Sequence, residues 1–198
     1  MIDRPTPSAV AAAVRAFDED IDTGTGDRAL TALFAQYPRN DSAEAVLLKA
    51  AALNALYSTN VYALLALTRH ILALEVDVDL DSSNLTVVER LADFTAQGKR
   101  RYIYSFATKY CSWHRPAVYP IYDSVVAQML VKFRRSDNFS SFTVEELRRY
   151  PRFVDVLGDF RSHYGLQEFS FRQIDKYLWR LADMKMTVAE RSGFRSLP

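Results

Sequence analysis

Apolar residues recur at intervals of three and four along most of the chain, the spacing that places them on one face of an α-helix. In the first third of the sequence this pattern is interrupted by short polar stretches rich in Asp, Thr, Gly and Ser. These stretches predict loops, because such residues favour turns over helix interiors. The helices predicted for this part cover residues 8–17, 28–37, 42–57 and 61–74, with a polar loop at 18–26 and a break at 58–60.

Residues 75–83 alternate between apolar and acidic side chains and carry four acids in the first seven positions. The alternation resembles a strand, but the acid content favours a loop or a short extended piece. A calcium-binding loop is the functional alternative for such a cluster. The segment lacks the central Gly and the distal Glu of an EF-hand, so a solvated acidic loop is the preferred interpretation.

The helical spacing returns after Asn84 and continues almost to the end of the chain. A Pro-containing segment between residues 114 and 121 predicts an extended link, because proline lacks a backbone donor and disfavours helix before it. Residues 138–141 predict a loop, and the tail after Met186 is polar and predicted to fray. The predicted helices cover residues 84–96, 101–113, 122–137, 144–150, 152–164 and 171–181.

Composition supports an all-α domain, since six glycines in 198 residues are too few for the many turns of a sheet-rich fold. We therefore expect one domain over residues 1–198 with about nine or ten helices: N-terminal helices with an acidic loop at 1–40, a core at 43–182 and a frayed tail at 187–198. No apolar run approaches a membrane span and no signal pattern is present, which favours a cytoplasmic protein. A single cysteine, Cys111, excludes an internal disulfide and a multi-cysteine zinc or iron–sulfur site.

Charge is distributed unevenly along the chain, although the formal net charge is only +1. Residues 1–97 carry 7 basic and 14 acidic side chains, whereas residues 98–198 carry 18 basic and 10 acidic ones. An asymmetry of this kind indicates a polyanion-binding face in the basic half. Its first residues, Gly98-Lys99-Arg100-Arg101, lie between two predicted helices, where a glycine turn and three cations favour phosphate binding.

Candidate catalytic groups are few, because the chain has three histidines and contains no Gly-x-Ser-x-Gly, P-loop or dinucleotide-binding motif. His70 and His163 are interpreted as ordinary helix residues. His114 and Arg115, just before the Pro-containing link, are candidates for contacts to a phosphate or a base. Asp123 is the strongest candidate, since it follows Tyr119-Pro-Ile-Tyr at the start of a predicted helix. A structural role as helix N-cap is the alternative for this aspartate.

The order of a helix, a Gly-basic hairpin, a second helix, a Pro-containing link and Tyr-Pro-Ile-Tyr-Asp123-Ser-Val-Val resembles the helix-hairpin-helix DNA glycosylase superfamily. Ser105-Phe-Ala-Thr-Lys-Tyr and Ile174-Asp-Lys-Tyr-Leu-Trp179 are most similar to its 8-oxoguanine-glycosylase-like branch. The resemblance spans roughly residues 43–182 and implies that Asp123 is the catalytic carboxylate. It further implies a monomeric enzyme that acts on double-stranded DNA and needs no metal or cofactor. It also implies that the hairpin grips DNA phosphates and that Ser58, Thr59 or Asn60 fills the space left by a flipped base.

Departures from the family pattern bear on the mechanism. The usual Gly-Val-Gly hairpin is reduced to Gly98, and the four C-terminal cysteines of the endonuclease III subfamily are absent. In bifunctional members, which use a lysine as nucleophile, more than 14 residues separate that lysine from the aspartate. Here Lys109 precedes Asp123 by 14 residues. We therefore expect a monofunctional enzyme that uses water, with Lys109 as an open candidate for a nucleophile.

The chemistry implied by the resemblance is base excision, in which a carboxylate stabilises an oxocarbenium-like sugar and the base is held by stacking. The implied substrates are an oxidised purine or a bulky modified base of phage DNA, the latter in anti-phage defence. Most of the aromatic residues must lie in the core, and the candidates for a base pocket are Tyr57, Tyr62, Trp113, Tyr122, Phe169 and Trp179.

Two other classes of function fit the sequence. The first is a non-catalytic DNA- or RNA-binding module, and the second is an interaction protein that docks a partner through its acidic residues 1–30. The binding module would use the basic surface of residues 98–152, formed by Lys99, Arg100, Arg101, Lys132, Arg134, Arg135, Arg148 and Arg149. The appearance of abasic sites in DNA would separate a glycosylase from both.

Overall fold

A computed structural model describes residues 3–185 of the chain. Within them lie ten α-helices and one short β-hairpin, which confirms the predicted all-α fold class and the expected number of helices. The predicted frayed tail at 187–198 lies outside the described residues. The helices are α1 (Pro7–Glu19), α2 (Ile21–Gln36), α3 (Ala43–Tyr57), α4 (Leu64–Ala73), α5 (Val76–Asp81), α6 (Thr86–Ala92), α7 (Tyr104–His114), α8 (Ser124–Asp137), α9 (Tyr150–His163) and α10 (Phe171–Lys185).

The predicted polar loop at 18–26 is wrong, because α2 begins at Ile21 directly after α1 ends. Asp20 caps α2 by accepting hydrogen bonds from the backbone N–H groups of Asp22 and Thr23 at 3.1 and 2.9 Å. Gly24 is buried inside α2, and a Cβ atom at this position would collide with the carbonyl oxygen of Asp18. The glycine therefore permits close packing of the two helices instead of forming a loop.

The predicted acidic loop at 75–83 is also wrong, since Val76–Asp81 forms α5. Val76 and Leu80 are one helical turn apart and both are buried, so the segment gains apolar burial by becoming helical. Its carboxylates form ion pairs: Asp79 with Arg90, and Asp81 with both Arg39 and Arg115. These arginines lie outside the segment. Their positive charges offset the repulsion between the carboxylates, which was the reason for predicting a loop.

The Gly-basic hairpin is a β-hairpin and not a link between two helices. The helix predicted at 84–96 ends at Ala92, and strands β1 (Asp93–Ala96) and β2 (Lys99–Tyr102) pair antiparallel around a two-residue turn. Gln97 and Gly98 have φ angles of 52° and 71°, the geometry of a tight turn that suits the twist of a hairpin. Helix α7 begins only at Tyr104, so the backbone N–H groups of this turn do not lie at a helix start as predicted.

The remaining elements follow the prediction closely. Helices α3, α4, α9 and α10 lie within a few residues of the predicted ranges, and residues 115–123 form a non-helical link that contains a turn at 116–118. Of the helix predicted at 144–150, Glu146–Arg148 forms a single 3₁₀ turn and Tyr150 belongs to α9. One buried apolar cluster extends through the described residues, from Val10 in α1 to Ala182 in α10. Helix α10 packs on α1 and on α8, which brings the end of the described chain back to its start.

None of the helices within residues 3–185 has the length and apolar character to cross a membrane.

Candidate active site

Lys109 lies in the middle of α7, and its side chain is buried beside the start of α8. Its Nζ donates a hydrogen bond of 2.7 Å to Ser105 Oγ and one of 3.4 Å to the carbonyl oxygen of Tyr122. The Tyr57 ring centroid is 5.2 Å from Nζ. Tyr122 directly precedes Asp123, the strongest candidate for a catalytic residue. Lys109, whose role the sequence left open, is therefore held next to Asp123.

Asp123 is the N-cap of α8, as its alternative interpretation predicted. Its Oδ1 accepts a hydrogen bond of 2.8 Å from the backbone N–H of Val126. The side chain is half-buried, and only one of its two oxygens is used by the cap. Capping and catalysis are therefore compatible, since the cap fixes the carboxylate in place.

Two further charged residues of α10, Arg172 and Asp175, complete the cluster, and neither was predicted as a site residue. Arg172 Nη1 is 3.3 Å from Asp175 Oδ2, and Nη2 donates to Tyr57 Oη at 2.9 Å. Nη2 also pairs with Asp27 of α2. The spacing of α10 predicts only an amphipathic helix, and the partners of Arg172 come from α2 and α3, far away in the sequence.

Burial alters the protonation behaviour of this cluster. It lowers the pKa of Lys109, and the negative charges of Asp123 and Asp175 oppose this effect. It raises the pKa of Asp175 to about 7; Arg172 opposes the increase, while Asp123 adds to it. The cluster therefore holds a lysine that loses its proton more readily than usual and a carboxyl group that titrates near neutral pH. Perturbed groups of this kind concentrate at functional sites.

A cavity of about 450 Å³ lies one helical turn further along α7, beside Trp113. Trp113 follows Lys109 by four residues, which places both side chains on the same face of the helix. Arg172 also lines the cavity, and its guanidinium lies 4.6 Å from the Trp113 ring centroid. Phe34 and Asp27 of α2 form the opposite wall. The cavity has the size of typical ligand sites and offers aromatic surface together with charged groups.

A second cavity, of about 160 Å³, separates the β-hairpin from the loop between α3 and α4. Lys99 and Arg101 face it from β2, and Asn60 and Tyr62 line it from the loop. Tyr62 is 82% exposed. Arg100 points to the other face of the hairpin, where it forms an ion pair with Asp93 at 2.6 Å. The predicted phosphate-binding cations are thus divided between two faces, and two of them share a cleft with the predicted wedge loop.

His114 lines the cavity beside Trp113, and its Nε2 faces the protein interior. Its Nε2 is 3.4 Å from Nζ of Lys49, a fully buried lysine that also donates to Tyr37 O, Arg39 O and Asn40 Oδ1. Burial, with the Lys49 charge adding to it, lowers the pKa of His114 to about 3. These contacts give the histidine a structural role at this position.

The other predicted site residues lie apart from the Lys109 cluster or at its edge. Arg115 is half-exposed, lines the cavity beside Trp113 and is paired with Asp81. Trp179 packs edge-on against Phe17, and Phe169 packs against the core. Tyr122 is in ring contact with Tyr104 and Phe153. Among the six predicted pocket aromatics, Tyr57 and Trp113 contact Arg172, and Tyr122 contacts Lys109 through its carbonyl oxygen. Ser58 and Asn60 are exposed, and Thr59 donates to Asn54 at 2.8 Å.

Within the described residues, no group of three or more His, Cys, Asp or Glu side chains is arranged to hold a metal ion.

Comparison with known proteins places the chain in a family but names no activity. The chain is 43% identical over 129 residues to a protein of Haemophilus influenzae whose name is "Uncharacterized protein". That match covers 65% of this chain and 61% of the relative, so the chain spans less than two thirds of the relative's length. No solved structure matches the chain. A family profile named HI_0787_N and described as an N-terminal domain matches residues 9–118, more than half of the chain, including Lys109 and the hairpin but not Asp123. The chain therefore belongs to the HI_0787_N family.

Proposed function

We propose that the protein is a DNA glycosylase in which the amine of Lys109 attacks the sugar carbon that carries a flipped base. The observation that carries this proposal is the burial of Lys109 next to Asp123. A lysine acts as a nucleophile only when its amine is neutral, and burial lowers its pKa in the direction that favours this form. The same position favours the amine route over the water-mediated, monofunctional route that the spacing in the sequence predicted.

Asp123 has the electrostatic role in this proposal. Breaking the glycosidic bond develops positive charge on the sugar, and a fixed carboxylate nearby stabilises that charge. The hydrogen bond to Val126 N holds Asp123 at the start of α8, so the carboxylate does not need to reorganise during the reaction. Tyr57 and Ser105 complete the surroundings of the amine.

The cavity beside Trp113 is the proposed position of the flipped base. Its volume of about 450 Å³ has room for an oxidised purine and also for a base with a bulky substituent. Aromatic stacking stabilises an extrahelical base, by about 1–3 kcal/mol for each base in single-stranded complexes. The Arg172 guanidinium now lies over Trp113, so a planar group already occupies the ring face that a base would use.

The DNA backbone is proposed to bind along the cleft between the hairpin and the loop before α4. Lys99 and Arg101 supply positive charge on the cleft side of the hairpin, and Tyr62 and Asn60 project from the facing loop. An exposed aromatic side chain across a cleft from two cations suits a strand whose bases stack while its phosphates are neutralised. Among the three residues predicted for the wedge, Asn60 is the one that lines this cleft.

Reductive trapping tests the proposal directly. Duplex DNA that contains an abasic site is incubated with the protein and cyanoborohydride, which reduces a lysine–sugar imine to a stable covalent adduct. We expect an adduct with the native protein, none with Lys109→Gln, and an undiminished one with Arg15→Gln, which changes an exposed cation of α1 outside the predicted DNA-binding surface. Lack of an adduct with the native protein would overturn the amine mechanism. Screening modified phage DNA and oligonucleotides with single damaged bases for new abasic sites then identifies the base.

A non-catalytic nucleic-acid-binding module is the second candidate, and the exposure of the basic surface favours it. Of the cations predicted for this surface, Arg134 is partly buried and donates to the carbonyl oxygen of Phe142, and the others are exposed. Under this alternative the protein binds DNA with a steep salt dependence but forms no adduct and releases no base. The trapping experiment therefore separates the two candidates.

A further inference from the structure

Asp175 is a largely buried carboxyl group that the proposed function has not yet used. It lies on α10, and it is held by Arg172, whose guanidinium also lines the cavity beside Trp113. Lys109 and Asp175 influence each other electrostatically, and Tyr57 connects their surroundings: its ring is 5.2 Å from Lys109 Nζ and its hydroxyl accepts from Arg172 at 2.9 Å. Arg172 and Tyr57 thus link the carboxyl group to the wall of the proposed base cavity and to the surroundings of the amine.

We propose that Asp175 is the proton acceptor for Lys109 and then the proton donor for the departing base. This role rests on the proposed glycosylase function and adds a residue to it. The ammonium N–H bond of Lys109 breaks and the proton passes to the Asp175 carboxylate. The freed lone pair forms the bond from Nζ to the sugar carbon, the glycosidic bond breaks with its electron pair on the base nitrogen, and the base takes the proton from Asp175.

Charged groups on four elements set the protonation of Asp175. Arg172 on α10 and Lys109 on α7 favour its carboxylate form, while Asp123 before α8 and Asp27 on α2 favour its protonated form. With the desolvation caused by burial, the balance brings its pKa to about 7. A group that both accepts and returns a proton works best when its pKa is near the working pH.

The free protein holds the ammonium with Ser105 Oγ and the carbonyl oxygen of Tyr122. Neither group can keep a proton, since a backbone carbonyl and a hydroxyl are very weak bases. Hydrogen bonds used in catalysis often form fully only in the substrate complex. The contact between Lys109 and Asp175 is therefore expected to form in the substrate complex, with Arg172 still beside the carboxylate.

The pH dependence of trapping at an abasic site tests this role, because formation of the imine also requires a neutral amine. With the native protein we expect the trapping rate to be constant above pH 7 and to fall about tenfold per pH unit below it, where Asp175 is protonated and cannot accept a proton. In Asp175→Asn we expect a loss of about a hundredfold at pH 8, typical of the loss of a general base, and no change of slope at pH 7. Asp175→Glu should restore the slope change.

Controls separate this inference from a structural role and from the proposed function. Asp155→Asn, which changes an exposed carboxylate of α9, should behave as the native protein does. If Asp175→Asn lowers the rate equally at every pH and keeps the slope change at pH 7, Asp175 is structural and the inference is wrong. If Asp175→Asn is poorly folded, loss of the slope change in well-folded Asp175→Glu would overturn the inference instead. If the native protein forms no adduct at any pH, it is the proposed function that fails.

Discussion

Substitutions of Asp123 should separate its structural task from its proposed catalytic one. The carboxylate caps α8 through its hydrogen bond to Val126 N at 2.8 Å, and we propose that it also stabilises positive charge on the sugar. Asparagine and aspartate are about equally favoured as N-caps, whereas alanine cannot accept the hydrogen bond. Asp123→Asn therefore removes the charge and keeps the cap, and Asp123→Ala removes both.

The two variants should differ in stability by an amount that follows from the cap. Loss of a capping side chain costs about 0.5–2 kcal/mol, typically about 1 kcal/mol. For a protein of this size 1 kcal/mol lowers the Tm by about 2–4 °C. Asp123→Asn loses only the favourable interaction of a negative charge with the helix N-terminus, which is worth about 0.3–1 kcal/mol. We expect Asp123→Ala to be the less stable of the two.

Activity should not follow this order. Removing one electrostatic group that acts on a transition state costs about 10²–10³-fold in rate, and both variants lose the carboxylate charge. At about 1.36 kcal/mol per tenfold change, this is a loss of about 3–4 kcal/mol. Excision by Asp123→Asn should therefore fall by about as much as excision by Asp123→Ala, although its Tm stays closer to that of the native protein.

Calorimetric Tm values and single-turnover excision, measured with the DNA on which the native protein releases a base, test this expectation. DNA affinity, measured at one fixed salt concentration, should change little in either variant. Native-like excision by Asp123→Asn would refute the catalytic role and leave Asp123 as a helix cap. Equal Tm values for Asp123→Ala and the native protein would refute the assigned energy of the cap.

Two further predictions concern protonation and DNA binding. Between pH 5 and 6.5, His114 and Asp175 have opposite effects on the free energy of unfolding. Because the pKa of His114 is lowered, this free energy falls as the pH decreases. Because the pKa of Asp175 is raised, it increases as the pH decreases, and each effect amounts to at most about 1.4 kcal/mol per pH unit. Denaturant unfolding should show a shallow dependence in the native protein and a steep loss toward pH 5 in Asp175→Asn; an equally shallow dependence in that variant would contradict the assigned pKa shifts. Exchanging both Lys99 and Arg101 for Gln should make the slope of log affinity against log salt less steep by about 2, whereas Arg100→Gln should change it less because Arg100 is paired with Asp93. Equal effects of Arg100→Gln and Arg101→Gln would show that the orientation of the hairpin does not determine DNA binding.

Helical spacing predicted most of the architecture because most helices here have one apolar face and one polar face. Helix α3 begins directly after Ser42, within one residue of its predicted start, and α10 matches the amphipathic pattern near the end of the described residues. Periodicity and capping are local properties, so a single sequence reveals them. Asp123 was also predictable on local grounds, as a capping residue type after a Pro-containing link.

The elements that were predicted wrongly depend on contacts with distant residues. Helix α5 carries acids that are tolerated because Arg39, Arg90 and Arg115 pair with them. The hairpin had a local signal that the prediction missed, namely a two-residue Gln97-Gly98 turn after the alternating segment Asp93–Ala96. Its placement against the loop of Tyr62 was not visible in the sequence.

The charge pattern shows the same division between sequence and tertiary structure. The sequence determined an acidic first half, a basic second half, a helical fold and a small number of candidate catalytic side chains. Only the tertiary structure decided that Arg172 and Lys176 are held by Asp27 of the acidic half, that His114 faces the interior, and that Lys109 lies beside Asp123 and Asp175. The physical reason is that ion pairing and desolvation depend on which groups share a buried space, and that is set by the packing of α2, α3, α7 and α10.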